Sequence, residues 1–231
     1  MQRKTSAPVD TRAELVEAAR RLFAKEGYDA TSVQAIIDAV GVSKGSFYHY
    51  FESKESVLDS VVETMTRQAL DEVAPLVTDA TLSAVDKLNR FMAAMRCWRL
   101  AHMPLVRETL RVLMRDENAI IHHKIHQRSA QLTRPLLAQI LAQGVREGVF
   151  RIADVEETAS LVQHISDYLG DKNARLLLGD PEDARRSEEV GRRANLGIEA
   201  IERILGAKPG SLELQDGGSP DSFLRGLRPI G

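Results

Sequence analysis

Apolar residues recur along this chain at intervals of three and four, the period of a helix with one buried face. Leu15, Ala18, Ala19, Leu22 and Phe23 form the first such stripe, which predicts a helix from Thr11 that Gly27 ends. Thr31 followed by Gln34 has capping-box spacing and predicts a second helix with Val33, Ile36 and Val40 inward. Gly41-Val42 then supplies a sharp turn, and Ser43 is placed to cap a third helix of about two turns ending near Phe51. Ser53 caps a fourth helix, with Val57, Leu58, Val61 and Val62 on its apolar side. Further on, the same period predicts helices over 54–78, 82–101, 104–115, 117–147, 155–178 and 182–205. Pro104, Asp116 and Asp180-Pro181 mark boundaries, and Asp154 with Glu157 caps the penultimate helix. No strand pattern and no repeat stands out, so the expected fold is all-α.

Four segments follow from this pattern: a flexible arm over 1–10, a helix-turn-helix domain over 11–58, a larger helical domain over 59–205 and a tail over 206–231. The tail is dense in Gly, Pro and Ser and is expected to be disordered.

Composition narrows the function. At 231 residues with 43% hydrophobic and 28% charged side chains, the chain is ordinary for a globular protein. No apolar run approaches the roughly 20 residues of a membrane helix, and MQRKTSAPVD has no signal core, so no membrane partner and a cytoplasmic location are expected. A single cysteine, Cys97, excludes an internal disulfide and fits a reducing compartment. Net charge is −2, and the first sixty residues hold eight basic against nine acidic groups. Nucleic-acid affinity must therefore come from the placement of a few groups, not from a basic domain.

That placement is visible in residues 31–58. The helix after the turn opens with backbone N–H groups that lack intrahelical partners and attract phosphate. Gly45 removes the side chain that would hold that backbone away, Lys44 adds a cation, and Ser46 is small enough to let the helix sink into a groove. Tyr48, His49 and Tyr50 add donors, and Lys54 can grip the backbone from the next helix start. Phe47 and Phe51 are core residues. Such an arrangement is a helix-turn-helix whose second helix enters the DNA major groove. With no Arg or Asn in that helix, bidentate base readout is limited, and apolar contact and DNA shape share the specificity.

The run AARRLFAKEGYDATSVQAIIDAVGVSKGSFYHYFESKESVL resembles the DNA-binding domain of TetR-family transcriptional regulators, closely over residues 12–60. A looser likeness continues in EGVFRIADVEETA, similar to the segment that often precedes the family's dimerisation helices. The resemblance implies an all-helical homodimer, with a C-terminal domain that binds a small-molecule effector and no cofactor. By position it implies DNA contacts from Ser43, Lys44, Gly45, Ser46, Tyr48, His49, Tyr50 and Lys54, and from Ser32 and Gln34 on the second helix. The chain departs from the family at Val33, where Thr is frequent, and at Tyr50, where His is frequent.

In the larger domain, Leu161, Val162, Ile165, Tyr168 and Leu169 form one stripe, and Ala194, Leu196, Ile198, Ile201 and Leu205 another. From these, Val162, Ile165, Leu169, Leu196 and Ile201 are expected at a dimer interface. The segment 91–103 holds Phe91, Met92, Met95, Cys97, Trp98, His102 and Met103, residues that line an adaptable apolar pocket or fill a core. Phe91, Met95, Trp98, His102 and Met103, with His164, are the candidate pocket for an apolar or amphipathic effector. His122, His123 and His126 crowd one stretch, the 122/126 pair at chelating i, i+4 spacing, and His164 and Asp167 make an i, i+3 pair. A metal-responsive regulator is thus an alternative to the effector-released repressor, as is an activator. Cys97 with His102 makes no catalytic pair, since i, i+5 positions diverge around a helix, and no enzymatic role is expected.

Overall fold

A computed structural model describes residues 10–177 and 184–213. Among them the regular structure is entirely helical: α1 (Thr11–Glu26), α2 (Val33–Val40), α3 (Lys44–Tyr50), α4 (Lys54–Thr78), α5 (Ala84–Ala101), α6 (Met103–Leu113), α7 (Ala119–Arg146), α8 (Val155–Leu177) and α9 (Ala184–Leu205). A short 3-10 turn over Asp116–Asn118 precedes α7. The chain divides into two compact units, 1–64 and 65–231. The division falls within α4 at Thr64, later than the expected Leu58, because the helix continues through the junction without a break.

The first unit packs α1, α2, α3 and the start of α4 around one small core. Leu15, Ala19, Phe23, Ile36, Phe47, Val57 and Val61 are all at 1% exposure or less. Asp10 caps α1 by accepting from the Ala13 N–H, and Gly27 ends it at φ 88°. At α2 the expected cap moves by one residue. Ser32, not Thr31, accepts the Ala35 N–H. Thr31 is fully buried instead, its hydroxyl donating to the Gly27 carbonyl, and Gln34 bonds Asp38. Of the expected inward residues only Ile36 is buried. Ile37 joins it, while Val33 and Val40 are half-buried. Gly41, at φ 76°, makes the left-handed turn between α2 and α3.

The second unit has a core from α4, α5, α7, α8 and α9 that includes Val73, Leu88, Ile140, Leu141, Ala159 and Leu205. Two close approaches lie at glycines. A Cβ at Gly144 would collide with Phe150, and one at Gly197 would collide with Leu169, which brings α8 and α9 into tight contact. Lys87 is buried, with its ammonium donating to the Val77 carbonyl and Gln143 Oε1, both at 2.7 Å.

The expected tail begins too early. Residues 206–213 are held: Leu212 is buried in the core, Glu202 accepts the Leu212 N–H, and Asn89 bonds both the Ser211 carbonyl and the Glu213 N–H. A Gly- and Pro-rich composition concealed one apolar anchor with two polar clasps. The first nine residues of the expected 1–10 arm, the Asp180-Pro181 boundary and the part of the expected tail over 214–231 lie outside the described residues, and Asp10 belongs to the α1 cap.

Candidate nucleic-acid interface

Ser43 sets the start of α3. Its hydroxyl accepts the Ser46 N–H at 3.0 Å from an extended backbone. Phe47 anchors the helix from beneath, wholly buried, with its ring 5.8 Å from Phe51 and edge-on to Tyr48. Around it Lys44, Gly45, Tyr48, His49 and Tyr50 are all exposed, with Ser46 half-buried. Tyr48 and Tyr50 keep 49% and 41% of their surface open, far more than aromatic residues recruited to a core would show. The Tyr50 and His49 rings meet edge to face at 4.9 Å, so each limits the rotation of the other.

Gly45 carries no internal requirement. Its φ is ordinary, and an added Cβ would meet only the Ser43 hydroxyl, at 3.8 Å. Nothing within the unit needs that position bare, so its smallness suits something approaching from outside. Ser32 and Gln34 both sit exposed at the start of α2, one engaged as a cap and the other bonded to Asp38.

Lys54 differs from the other candidates. Its Nζ donates to the Tyr28 carbonyl at 2.8 Å and the Thr31 carbonyl at 2.9 Å, and lies 4.1 Å from the centre of the Tyr28 ring. It clasps the α1–α2 connection to the start of α4. A cation so engaged has little capacity left for phosphate. Sequence spacing placed it correctly at the helix start and missed the two carbonyls, which are 26 and 23 residues away.

The expected effector and dimer residues are redistributed in the second unit. Phe91 belongs to the core, Trp98 is 7% exposed, and Met95 packs against the core half-buried. His102 stacks on Trp98 at 4.1 Å with its Nδ1 at the Trp98 carbonyl, and Met103 opens α6 half-buried. His164 is exposed and bonds the Ser160 carbonyl of its own helix, so it faces no pocket with the others. A cavity of about 300 Å³ instead lies between α6, the 3-10 turn, α7 and α8, among Leu113, Met114, Asp116, His122, Tyr168 and Asp171.

Of the expected dimer residues, Val162 and Ile201 are internal core, Ile165 packs on that core, and Leu169 covers Gly197 within the chain. Only Leu196 is open, at 55%. Among the described residues, the large apolar side chains left exposed on α8 and α9 are Leu161, Tyr168 and Leu196, because each stripe has an inner edge that packs on the core and an outer edge that does not.

His122 and His126 do meet, as their spacing suggested, and Asp171 of α8 joins them. His123 points away and is exposed. The Asp167 carboxylate beside the His126 ring holds that imidazole above its ordinary pKa, whereas burial and then His126 push His122 below it.

Comparison with known proteins places these features in company. The model of bacterial regulatory proteins of the tetR family matches residues 15–61, the α1–α4 segment just described. The HTH-type transcriptional repressor KstR2 of Mycobacterium tuberculosis is 31% identical over 144 residues, covering 61% of this chain and 69% of the relative. Its counterpart in Mycolicibacterium smegmatis is 29% identical, over 63% and 70%. In overall fold the chain is similar to a tetR-family transcriptional regulator from Pectobacterium atrosepticum, with TM-score 0.57, 20% identity and coverage of 83% and 94%.

Proposed function

The chain belongs to the tetR family of bacterial regulatory proteins, and from that premise we propose that it is a homodimeric repressor released from its operator by a small molecule. DNA binding and regulation of transcription come with the family. The repressor role is taken from the name of the mycobacterial relatives.

The observation that carries the operator reading is the exposed row on α3. Lys44, Tyr48, His49 and Tyr50 are all exposed around a buried Phe47. One such helix makes few contacts, so specificity calls for two copies on half-sites about 34 Å apart along a pseudo-palindrome. Leu161, Tyr168 and Leu196 on α8 and α9 are the groups that would bury against a second copy. Most contacts from Lys44 and the backbone go to phosphate, and Ser46, Tyr48 and Tyr50 reach base edges. An apolar or amphipathic effector in the helical domain shifts the population toward a state that does not fit DNA. A full switch from 1:99 to 99:1 asks for a preference of about 10⁴-fold between the two states.

The test is a footprint on the DNA flanking the coding gene. A protected two-fold site, whose affinity falls steeply with salt and is lost in a Tyr48→Ala, Lys44→Ala double variant that keeps its helix content, supports the reading. Salt-insensitive or sequence-blind binding refutes it.

A further inference from the structure

We propose that His122, His126 and Asp171 form a binding site for a zinc-class divalent transition-metal ion at the edge of the cavity between α7 and α8. The two Nε2 atoms of the imidazoles, one turn apart on α7, are 2.7 Å from each other. Asp171 Oδ1, reaching across from α8, is 3.2 Å from both. Three potential ligand atoms on two helices therefore converge on one point, and all three side chains are only partly exposed.

The chemistry of this convergence favours a cation. An ionised carboxylate only accepts hydrogen bonds, and a neutral imidazole carries one proton for two nitrogens. Asp167, one turn before Asp171, lies 3.7 Å from Nδ1 of His126 and is itself held by the Gln163 amide at 2.9 Å. In the neutral ring, a proton on Nδ1 toward Asp167 leaves the Nε2 lone pair on the side of His122 and Asp171, where a metal ion competes with a second proton for it. A carboxylate behind a ligating histidine orients metal-bound imidazoles through a hydrogen bond, which Asp167 reaches only by closing its 3.7 Å gap to His126. With both rings neutral, one Nε2 proton is left for two acceptors; an imidazolium at His126 satisfies the trio with a second proton, and a dication satisfies it in that proton's place. A dication at that point engages all three at once.

The ligand set decides among metals. Two imidazole nitrogens and one carboxylate suit zinc and its neighbours, whereas magnesium and calcium require mostly oxygen ligands. Metal–nitrogen bonds near 2.0–2.1 Å in tetrahedral geometry set the nitrogens about 3.3 Å apart, so the imidazoles must part by roughly 0.6 Å, a small ring rotation. The distances to Asp171 need almost no change. His122 and Asp171 also line the cavity, from which water or an oxygen donor can complete the sphere.

The bland alternative is a hydrogen-bonded tie between α7 and α8 that never holds a metal. Cobalt(II) titration of the untagged, chelator-stripped full chain separates the two, and the outcome is independent of operator binding. The expected result is one ion per chain with the intense visible bands of four-coordinate cobalt, displaced by one equivalent of zinc, and a zinc-dependent rise in melting temperature. His126→Gln and Asp171→Asn should abolish the bands, Asp167→Asn should weaken affinity about 10- to 100-fold, and His123→Ala, on the exposed side of the same helix, should change nothing. Circular dichroism of each stripped variant separates lost ligands from lost folding. Absence of cobalt bands in the wild type, or bands that survive His126→Gln in a folded protein, would overturn the proposal.

Discussion

Replacing Lys54 with Met keeps the aliphatic stem and deletes only the ammonium, so it isolates what that charge does. The ammonium makes two charge-assisted hydrogen bonds to carbonyls, at 2.8 and 2.9 Å, and rests on the Tyr28 ring at 4.1 Å. Bonds of this kind contribute about 1.5–3 kcal/mol each and the ring about 0.5–1 kcal/mol. Those figures are not additive here. Lys54 is half-exposed, water can replace part of what is lost, and the Tyr28 carbonyl keeps the Thr31 N–H as a second donor. Halving the sum leaves about 1.8–3.5 kcal/mol of lost stability for the first unit, centred on about 2–3 kcal/mol. Native-state hydrogen exchange reads this directly. Amides of α1, α2 and α3 that exchange by opening of the whole unit should lose protection by roughly 30- to 140-fold, while those of α7 stay unchanged. In the same variant the slope of log affinity for operator against log salt should be that of the wild type. Unchanged exchange with a slope shallower by about one unit would refute the reasoning, since that combination marks a lysine that holds phosphate.

Lys44→Ala should show the reverse pattern: the salt slope drops by about 0.9 for one lost phosphate contact while urea unfolding is unaltered, and an unchanged slope would exclude Lys44 from the backbone contacts. Gly45→Ala should stabilise α3 by about 0.5–1 kcal/mol, because its Cβ has room and glycine costs entropy in a helix, yet weaken operator affinity. A variant that is more stable and binds as tightly would show that no groove wall comes close there. A paired Leu161→Asp, Leu196→Asp substitution alters two exposed positions and should leave each chain folded while shifting sedimentation from dimer to monomer. A persistent dimer would assign the interface to another face. Gly197→Ala only has to turn aside the end of the half-buried Leu169 side chain, so thermal melting should show a change of less than about 1 kcal/mol, and a loss of about 3 kcal/mol or more would mean that Leu169 is locked in place.

The turn at Gly41, the Ser43 cap and the bounds of α4 were readable because each depends on residues within four or five positions. The same holds for Asp154, which accepts the Glu157 N–H as its spacing implied. Local rules were weaker where two candidates stood side by side. Thr31 and Ser32 can both cap a helix, and the outcome turned on which had a carbonyl, that of Gly27, to take its hydroxyl inside. Stripes were legible as stripes, but not which edge packs inward: Val162 and Ile201 are core, whereas Leu161 and Leu196 remain outside. Contacts across long separations were invisible. Asp171 reaches histidines 45 or more residues earlier in the chain, and Asn89 reaches Ser211 across 122. One signal for the former existed: Asp167 and Asp171 repeat on α8 the i, i+4 interval of His122 and His126 on α7, so a matched pair of rungs was written in the sequence.

Leu212 has a practical bearing on how the molecule can be handled. Trimming the chain at Leu205, where composition suggests that structure stops, would pull a stopper from the floor of the helical domain and strip Glu202 and Asn89 of the backbone groups that they grip. Any shortened version of the chain therefore has to keep the polypeptide through Glu213, whose N–H Asn89 accepts.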